Sequence, residues 1–444
     1  MRSLAAAVLA LILGLPGAAG ARDLAEVWQL ALQRDPGLAA ARHGRDAQQE
    51  KLPQARARLL PLITATAGAQ ADEARRLSGL SDQRSAQRAW WNLALTQPII
   101  DLRAWEAFEQ AEYVARAADA GQAMALQDLI LRVTQAYFDI LSTQDSLRAL
   151  EAQILAVQTQ LEAARHGFEL GSTTITDTHE TRARLDLLQA NALELSNQLQ
   201  VNRDRLASII AVAPGELSEL PAGAHLPSPE PNRMEDWVRQ AEQANLAVVN
   251  AQLQMQITEK QRDMAKRDRL PRLHLQAQTG STSDRGLRGT GADRGPRSLD
   301  SSVGLVLSVP LFTGGELSSV VREESSRLQQ RRYELEGARR NARQLAEQYF
   351  SGVTTGLARI AALEAAEESS QAALDANRLA YEVGVRINID VLNAQQQLYE
   401  TQRLLAQARY STLMHGLRLK AASGILAEAD LLAVNTLLGA PASP

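Results

Sequence analysis

"YEVGVRINID", Tyr381 to Asp390, and "FELGSTTITD", Phe168 to Asp177, follow one pattern: aromatic, Glu, apolar, Gly, then Asp six positions after the Gly. Each Gly interrupts a long run of helix-forming residues. Glycine enters the left-handed backbone region without steric cost, so each marks the point where one helix ends and the chain reverses into the next. Gly171 and Gly384 stand 213 residues apart. The same reversal at half-chain spacing predicts two copies of one structural unit.

The surrounding sequence repeats with the turns. "EVWQLALQRDP" (Glu26 to Pro36) parallels "EDWVRQAEQAN" (Glu235 to Asn245), and "RLLPLITATAG" (Arg58 to Gly68) parallels "DRLPRLHLQAQ" (Asp268 to Gln278). "LTQPII" (Leu95 to Ile100) matches "LSVPLF" (Leu307 to Phe312), and Tyr137-Phe138 matches Tyr349-Phe350. The offset drifts only from 209 to 213 along the chain. Between the copies, Pro214, Pro221, Pro227, Pro229 and Pro231 exclude a continuing helix and mark a linker.

Two periodicities alternate inside each copy. Leu126, Val133, Ile140, Leu147, Ile154 and Leu161 recur every seven residues, as do Leu328, Leu335, Ala342 and Tyr349, and Val391, Leu398 and Leu405. That spacing predicts long helical arms packed as coiled coils. An arm from Pro98 to Gly171 would extend roughly 100 Å at the helical rise per residue. Elsewhere Trp91, Leu93 and Leu95, then Leu273, Leu275 and Ala277, then Val303, Leu305, Leu307 and Val309 alternate with polar or small residues. One apolar and one polar face suit a membrane barrel wall, although a single such strand also fits a soluble sheet. The stretches joining each strand pair, "DEARRLSGLSDQRS" and "STSDRGLRGTGADRGPRS", read as polar external loops. Four strands fall short of the eight or so that close a membrane barrel, so several chains would have to associate.

Composition narrows the class further. The 444 residues carry a net charge of -4, which gives no electrostatic case for nucleic acid, and the absence of Cys excludes disulfides. "MRSLAAAVLALILGLPGAAGA" pairs a basic start with a short apolar run and an A-x-A site, the pattern of a secretory signal. His43, His166, His179, His225, His274 and His415 show no metal-ligand spacing, and no cofactor motif or catalytic constellation emerges. "TGG" at Thr313 to Gly315 lacks the remainder of a phosphate loop and is read as a strand-to-helix joint. The expected class is mainly α with a transmembrane β part. A wholly periplasmic coiled-coil adaptor or scaffold is the alternative.

These readings divide the chain into a signal at residues 1–21, a first repeat at 22–212, a linker at 213–232, a second repeat at 233–426 and a short segment at 427–444. Strands are expected near residues 61–72, 87–98, 271–281 and 299–311, with turns at Gly171 and Gly384.

Over nearly the whole mature chain, and most clearly in "FELGSTTITDTHETRARLDLLQANAL" and "YEVGVRINIDVLNAQQQLYETQRLLAQARYSTLMHGLRLKAASGIL", the sequence resembles the TolC family of outer-membrane export ducts. The resemblance implies a homotrimer, with a twelve-stranded β-barrel in outer-membrane lipid continued by a twelve-helix tunnel through the periplasm. It also implies partners: a periplasmic membrane-fusion adaptor, and an inner-membrane ABC transporter or RND-type pump that drives type I secretion or efflux of toxic compounds. The turns would form the closed inner tip. By position, Asp177, with Thr176 beside it, corresponds to the acceptor side of the periplasmic gate, and Tyr381 and Arg386 to its donors. Asp390 corresponds to an acidic ring at the tunnel entrance. The family's best-known member has a second acidic residue where this chain has Asn393, which weakens the expectation of tight divalent-cation plugging. A plainer role for Asp177 and Asp390 is to cap the returning helices.

Overall fold

A computed structural model describes residues 21–75, 83–171, 173–221, 223–288 and 291–439. The expected secretory signal lies outside the described residues except for Ala21. Two parallel series of elements follow one another. The first is α1 (Leu24–Arg34), α2 (Pro36–Gln49), α3 (Lys51–Ala57), β1 (Leu62–Arg75), β2 (Gln83–Ile100), α4 (Leu102–Glu169) and α5 (Ile175–Ile210). The second is α6 (Met234–Ala244), α7 (Leu246–Arg267), β3 (Arg272–Arg288), β4 (Gly291–Ser308), α8 (Glu316–Glu382) and α9 (Asn388–Ala422), and α10 (Glu428–Asn435) closes the chain. The long arms α4 and α8 have 68 and 67 residues, and the returning arms α5 and α9 have 36 and 35. The match of element order and length is the tandem repeat expected from the nearly constant offset.

The chain divides into two compact units, and α4 and α8 contribute residues to both. One unit, built from residues 41–123 and 246–339, carries the sheet. Its strands lie in the order β1-β2-β3-β4, all neighbours antiparallel. The register places Ile63, Leu95, Ala277 and Val303 in one row across the sheet, with Leu305 and Leu307 opposite Leu275 and Leu273 on the same face. The other face carries rows such as Thr64, Ala94, Gln278 and Ser302. Val303, Leu305 and Leu307 are each at least 64% exposed. Among the described residues, β1 and β4 pair along one edge only. Trp90 packs its indole over Gly68 so closely that a Cβ there would lie 2.6 Å from the ring.

The strands overrun their expected ends. β1 reaches Arg75, β2 begins at Gln83, β3 reaches Arg288 and β4 begins at Gly291, so the described residues of the two stretches read as polar loops are strand. The reason is that antiparallel pairing is made by the backbone, and it continues outward after the apolar alternation stops. Near the other end, Pro98 cannot donate to the ladder, and the β2–β3 register slips between Pro98 and Ile100. "TGG" is the joint it was read to be: Gly314 and Gly315 take φ 63° and 92°, and the amide of Glu316 bonds to Thr313 O at 3.1 Å.

The other unit holds the described residues within 21–40, 124–245 and 340–439. Its core gathers Leu24, Trp28, Leu129, Val133, Tyr137, Phe138, Ile140, Leu206, Leu413, Leu417 and Leu431. Heptad positions Val133 and Ile140 are among the most buried, as the coiled-coil spacing requires. The linker is tied into this unit by bridges between Arg22 and Leu217 and between Glu219 and Gly439, and the Tyr137 hydroxyl donates to Ser218 O at 2.8 Å.

Candidate functional site

Both glycine turns belong to the helical unit, and their geometry follows from the residue types. After α4, the amides of Leu170 and Gly171 bond to His166 O and Phe168 O at 3.0 Å each, and Gly171 takes φ 76°. After α8, the amides of Val385 and Arg386 both return to Ala380 O, at 2.8 and 3.1 Å, and Gly384 takes φ 79°. A left-handed glycine whose following amides satisfy the last helical carbonyls is the usual way to end a helix abruptly.

The returning helices start differently. α5 opens with a capping box: the Asp177 amide donates to Thr174 Oγ1 at 3.2 Å, while the Thr174 amide and hydroxyl donate to Asp177 Oδ2 at 3.0 and 2.9 Å. Asp177 therefore caps its own helix, the plainer of its two expected roles. α9 has no side-chain cap; its Asp390 instead receives Arg386 Nη1 at 3.4 Å across one helical turn. Thr176 and Arg386 are exposed, and Asp177, Tyr381 and Asp390 are half-buried. Tyr381 packs against the buried cluster that Leu374, Val391 and Leu398 form. Burial, then the nearby Asp177 carboxylate, push the Tyr381 phenol above its ordinary pKa.

Within one chain the structure thus brings Tyr381 into the field of Asp177 and pairs Arg386 with Asp390. It does not gather all four expected gate residues into one cluster. All contacts of the Asp177 carboxylate described here fall on Oδ2, so Oδ1 retains its capacity to accept a donor from elsewhere.

Sequence reasoning missed the polar contacts beneath the turns. Asn388, only 1% exposed, accepts from Gln160 Nε2 through Oδ1 at 2.7 Å and donates through Nδ2 to Thr181 Oγ1 at 2.7 Å. Thr181 donates to Asp177 O at 2.7 Å. Leu161, Leu185, Leu188 and Leu392 form the apolar cluster of the same arms. An Asn and a Thr at otherwise apolar heptad-like positions were the available signal, since polar residues on a buried seam generally have a specific partner.

Comparison with known proteins places these features in a wider set. The sequence profile of the family described as "Outer membrane efflux protein" matches residues 27–212 and 237–425, one segment in each repeat. The outer membrane protein TolC of Vibrio cholerae serotype O1 is 31% identical over 423 residues, covering 95% of this chain and 95% of that protein. The alkaline protease secretion protein AprF of Pseudomonas aeruginosa is 29% identical over 419 residues, covering 93% of this chain and 86% of its own. The crystal structure of the outer membrane protein VceC from Vibrio cholerae superimposes with a TM-score of 0.77 at 20% identity, covering 90% of this chain and 96% of that one, which establishes likeness of fold.

Proposed function

The chain belongs to the outer membrane efflux protein family, and from that premise we propose that three copies associate into a channel-tunnel whose glycine turns form its closable periplasmic end. It is an outer-membrane export channel, and its role is to provide the passage through which proteins or small compounds leave the cell. The observation that carries the trimer is the sheet. Its two edge strands have partners on one side only among the described residues, and one face exposes Val303, Leu305 and Leu307. Unpaired backbone groups are not tolerated at a lipid-exposed edge, so β4 of one copy would pair with β1 of the next, and three copies would close twelve strands.

At the turns, Asp177 would use Oδ2 for its own helix and Oδ1 for a donor on a neighbouring arm. Arg386, exposed and held within its own chain, among the described residues, by a 3.4 Å side-chain contact to Asp390, would exchange that partner for Asp177 of an adjacent copy. Tyr381, whose phenol lies in the field of Asp177, would be a second donor to it. Each exposed pair would contribute only about 0–1 kcal/mol. Threefold repetition makes the closure cumulative, yet breakable by a docking periplasmic adaptor allied to an inner-membrane ABC transporter or RND-type pump. Asp390 would line the passage just behind, where three carboxylates favour cations. The similarity to a protein named for alkaline protease secretion supports protein cargo, and the family description supports efflux.

The reading is tested in two steps. Outer-membrane fractions should yield a trimer that resists dissociation in detergent; recovery as a soluble periplasmic monomer would overturn it. In planar bilayers, Asp177→Ala and Arg386→Ala should each raise single-channel conductance above the nearly closed wild type, and unchanged conductance in both would remove the gate.

A further inference from the structure

We propose that Asn388 is a positioning residue for closure: a buried hub that holds the second hairpin's returning helix on the first hairpin, and so decides how readily the turns separate. The proposal rests on the reading of the turns as the closing site. Asn388 is the first residue of α9, two positions after Arg386 and two before Asp390. Its single amide uses both ends, taking Gln160 of α4 on Oδ1 and giving to Thr181 of α5 from Nδ2, each at 2.7 Å. Thr181, 0% exposed, passes the chain of bonds to the backbone carbonyl of Asp177. One side chain of the second hairpin therefore grips both helices of the first and terminates on the residue assigned to the gate.

Burial gives this network its leverage. Apolar packing by Leu161, Leu185 and Leu392 keeps water out while the arms are together. Moving α9 away from α4 and α5 strands three polar groups until solvent reaches them, which makes separation a threshold event. Seven residues further along α9, Gln395 is 2% exposed and its Oε1 has no partner among the described residues. Other polar pairs join α9 to the first hairpin, among them Arg184 with Gln396 and, farther from the turns, Tyr410 with Asp145, but Asn388 is the buried one directly beneath the turns. Asn202 supplies the contrast. It too is buried, with Nδ2 donating to Asp139 O at 3.2 Å and Thr143 Oγ1 at 3.0 Å, but it joins α5 to α4 within one hairpin. Its loss does not release one hairpin from the other.

The experiment uses the full-length trimer in planar bilayers with Asn388→Leu, Thr181→Val, their combination, and Asn202→Leu as the control. Asn388→Leu and Thr181→Val should each shift the open-to-closed ratio by about fivefold or more. The double variant should gain little beyond either single change, because both cut one network. Thr181→Ser should behave as wild type. Asn202→Leu should lower the melting temperature of the trimer in detergent at least as much as Asn388→Leu while leaving conductance unchanged. Wild-type conductance in Asn388→Leu and Thr181→Val, alongside raised conductance in Asp177→Ala, overturns the hub and leaves the gate standing. Wild-type conductance in every variant removes the gate, and the hub with it. If Asn388→Leu does not assemble, Thr181→Val decides the question alone.

Discussion

Asp177 serves its own helix before it serves any neighbour. Its carboxylate closes a capping box with Thr174, a reciprocal arrangement that satisfies two amides otherwise left without partners at the start of α5. Asp35, a buried carboxylate, shows the same economy with a stronger electrostatic component. Its Oδ1 accepts from the Leu38 amide at 2.7 Å at the start of α2, and Arg132 reaches both oxygens, at 3.1 and 3.3 Å. Burial alone would raise the Asp35 pKa, but the Arg132 pair and the Leu38 and Gly37 amides outweigh it, and the carboxyl sits below its ordinary value. A lowered folded pKa means that the stabilisation is complete above the ordinary carboxylate pKa and is lost as pH falls through the folded value. Asp35→Asn should therefore melt at a lower temperature at neutral pH, with the gap to wild type closing on acidification below about pH 4. A gap that stays constant across that range would show that the ion pair contributes nothing.

At the level of paired elements, the long arms owe their contact to small residues as well as to heptads. On α8, a Cβ added at Gly352 would lie 2.8 Å from the His415 ring, and one added at Gly356 would fall on Thr412, with Cγ2 at 3.1 Å. Thr412 cannot easily turn away, because its hydroxyl is bonded to Ala408 O at 2.7 Å. Gly416, on the facing helix α9, has nothing within 4 Å of the corresponding position. Gly356→Ala should cost about 1–3 kcal/mol by overpacking, whereas Gly416→Ala should stabilise α9 by about 0.5–1 kcal/mol through helix propensity. Melting of the two variants in detergent checks the pair. Equal effects would mean that the close α8–α9 approach is not held by Gly356.

For the assembled molecule, the decisive property is that one chain cannot satisfy its own sheet. Leu305 stands 66% exposed on the apolar face of β4, opposite Leu275 in the register, while Ser308 lies on the other face opposite Arg272. A charge on the lipid side of a barrel costs about 2–4 kcal/mol at the bilayer midplane and far less on the lumen side. Leu305→Lys should reduce the yield of detergent-resistant trimer in outer-membrane fractions, and Ser308→Lys should leave it near wild type. The reverse order would mean that the lipid and lumen faces have been exchanged.

Local chemistry fixed the parts that repeat. A glycine among helix formers, a seven-residue apolar period and a two-residue alternation each depend on neighbours in the chain, so Gly171, Gly384, Val133, Ile140, Leu305 and Leu307 declared their roles from spacing alone. Strand ends did not, because pairing out to Arg75 and Arg288 is made by backbone groups that every residue carries. Nor did the hub: Gln160, Thr181 and Asn388 are up to 228 residues apart, and the meeting of three polar side chains in an apolar seam has no periodicity to reveal it. Folding decides such contacts, since only the packed arms exclude the water that would otherwise satisfy each group separately.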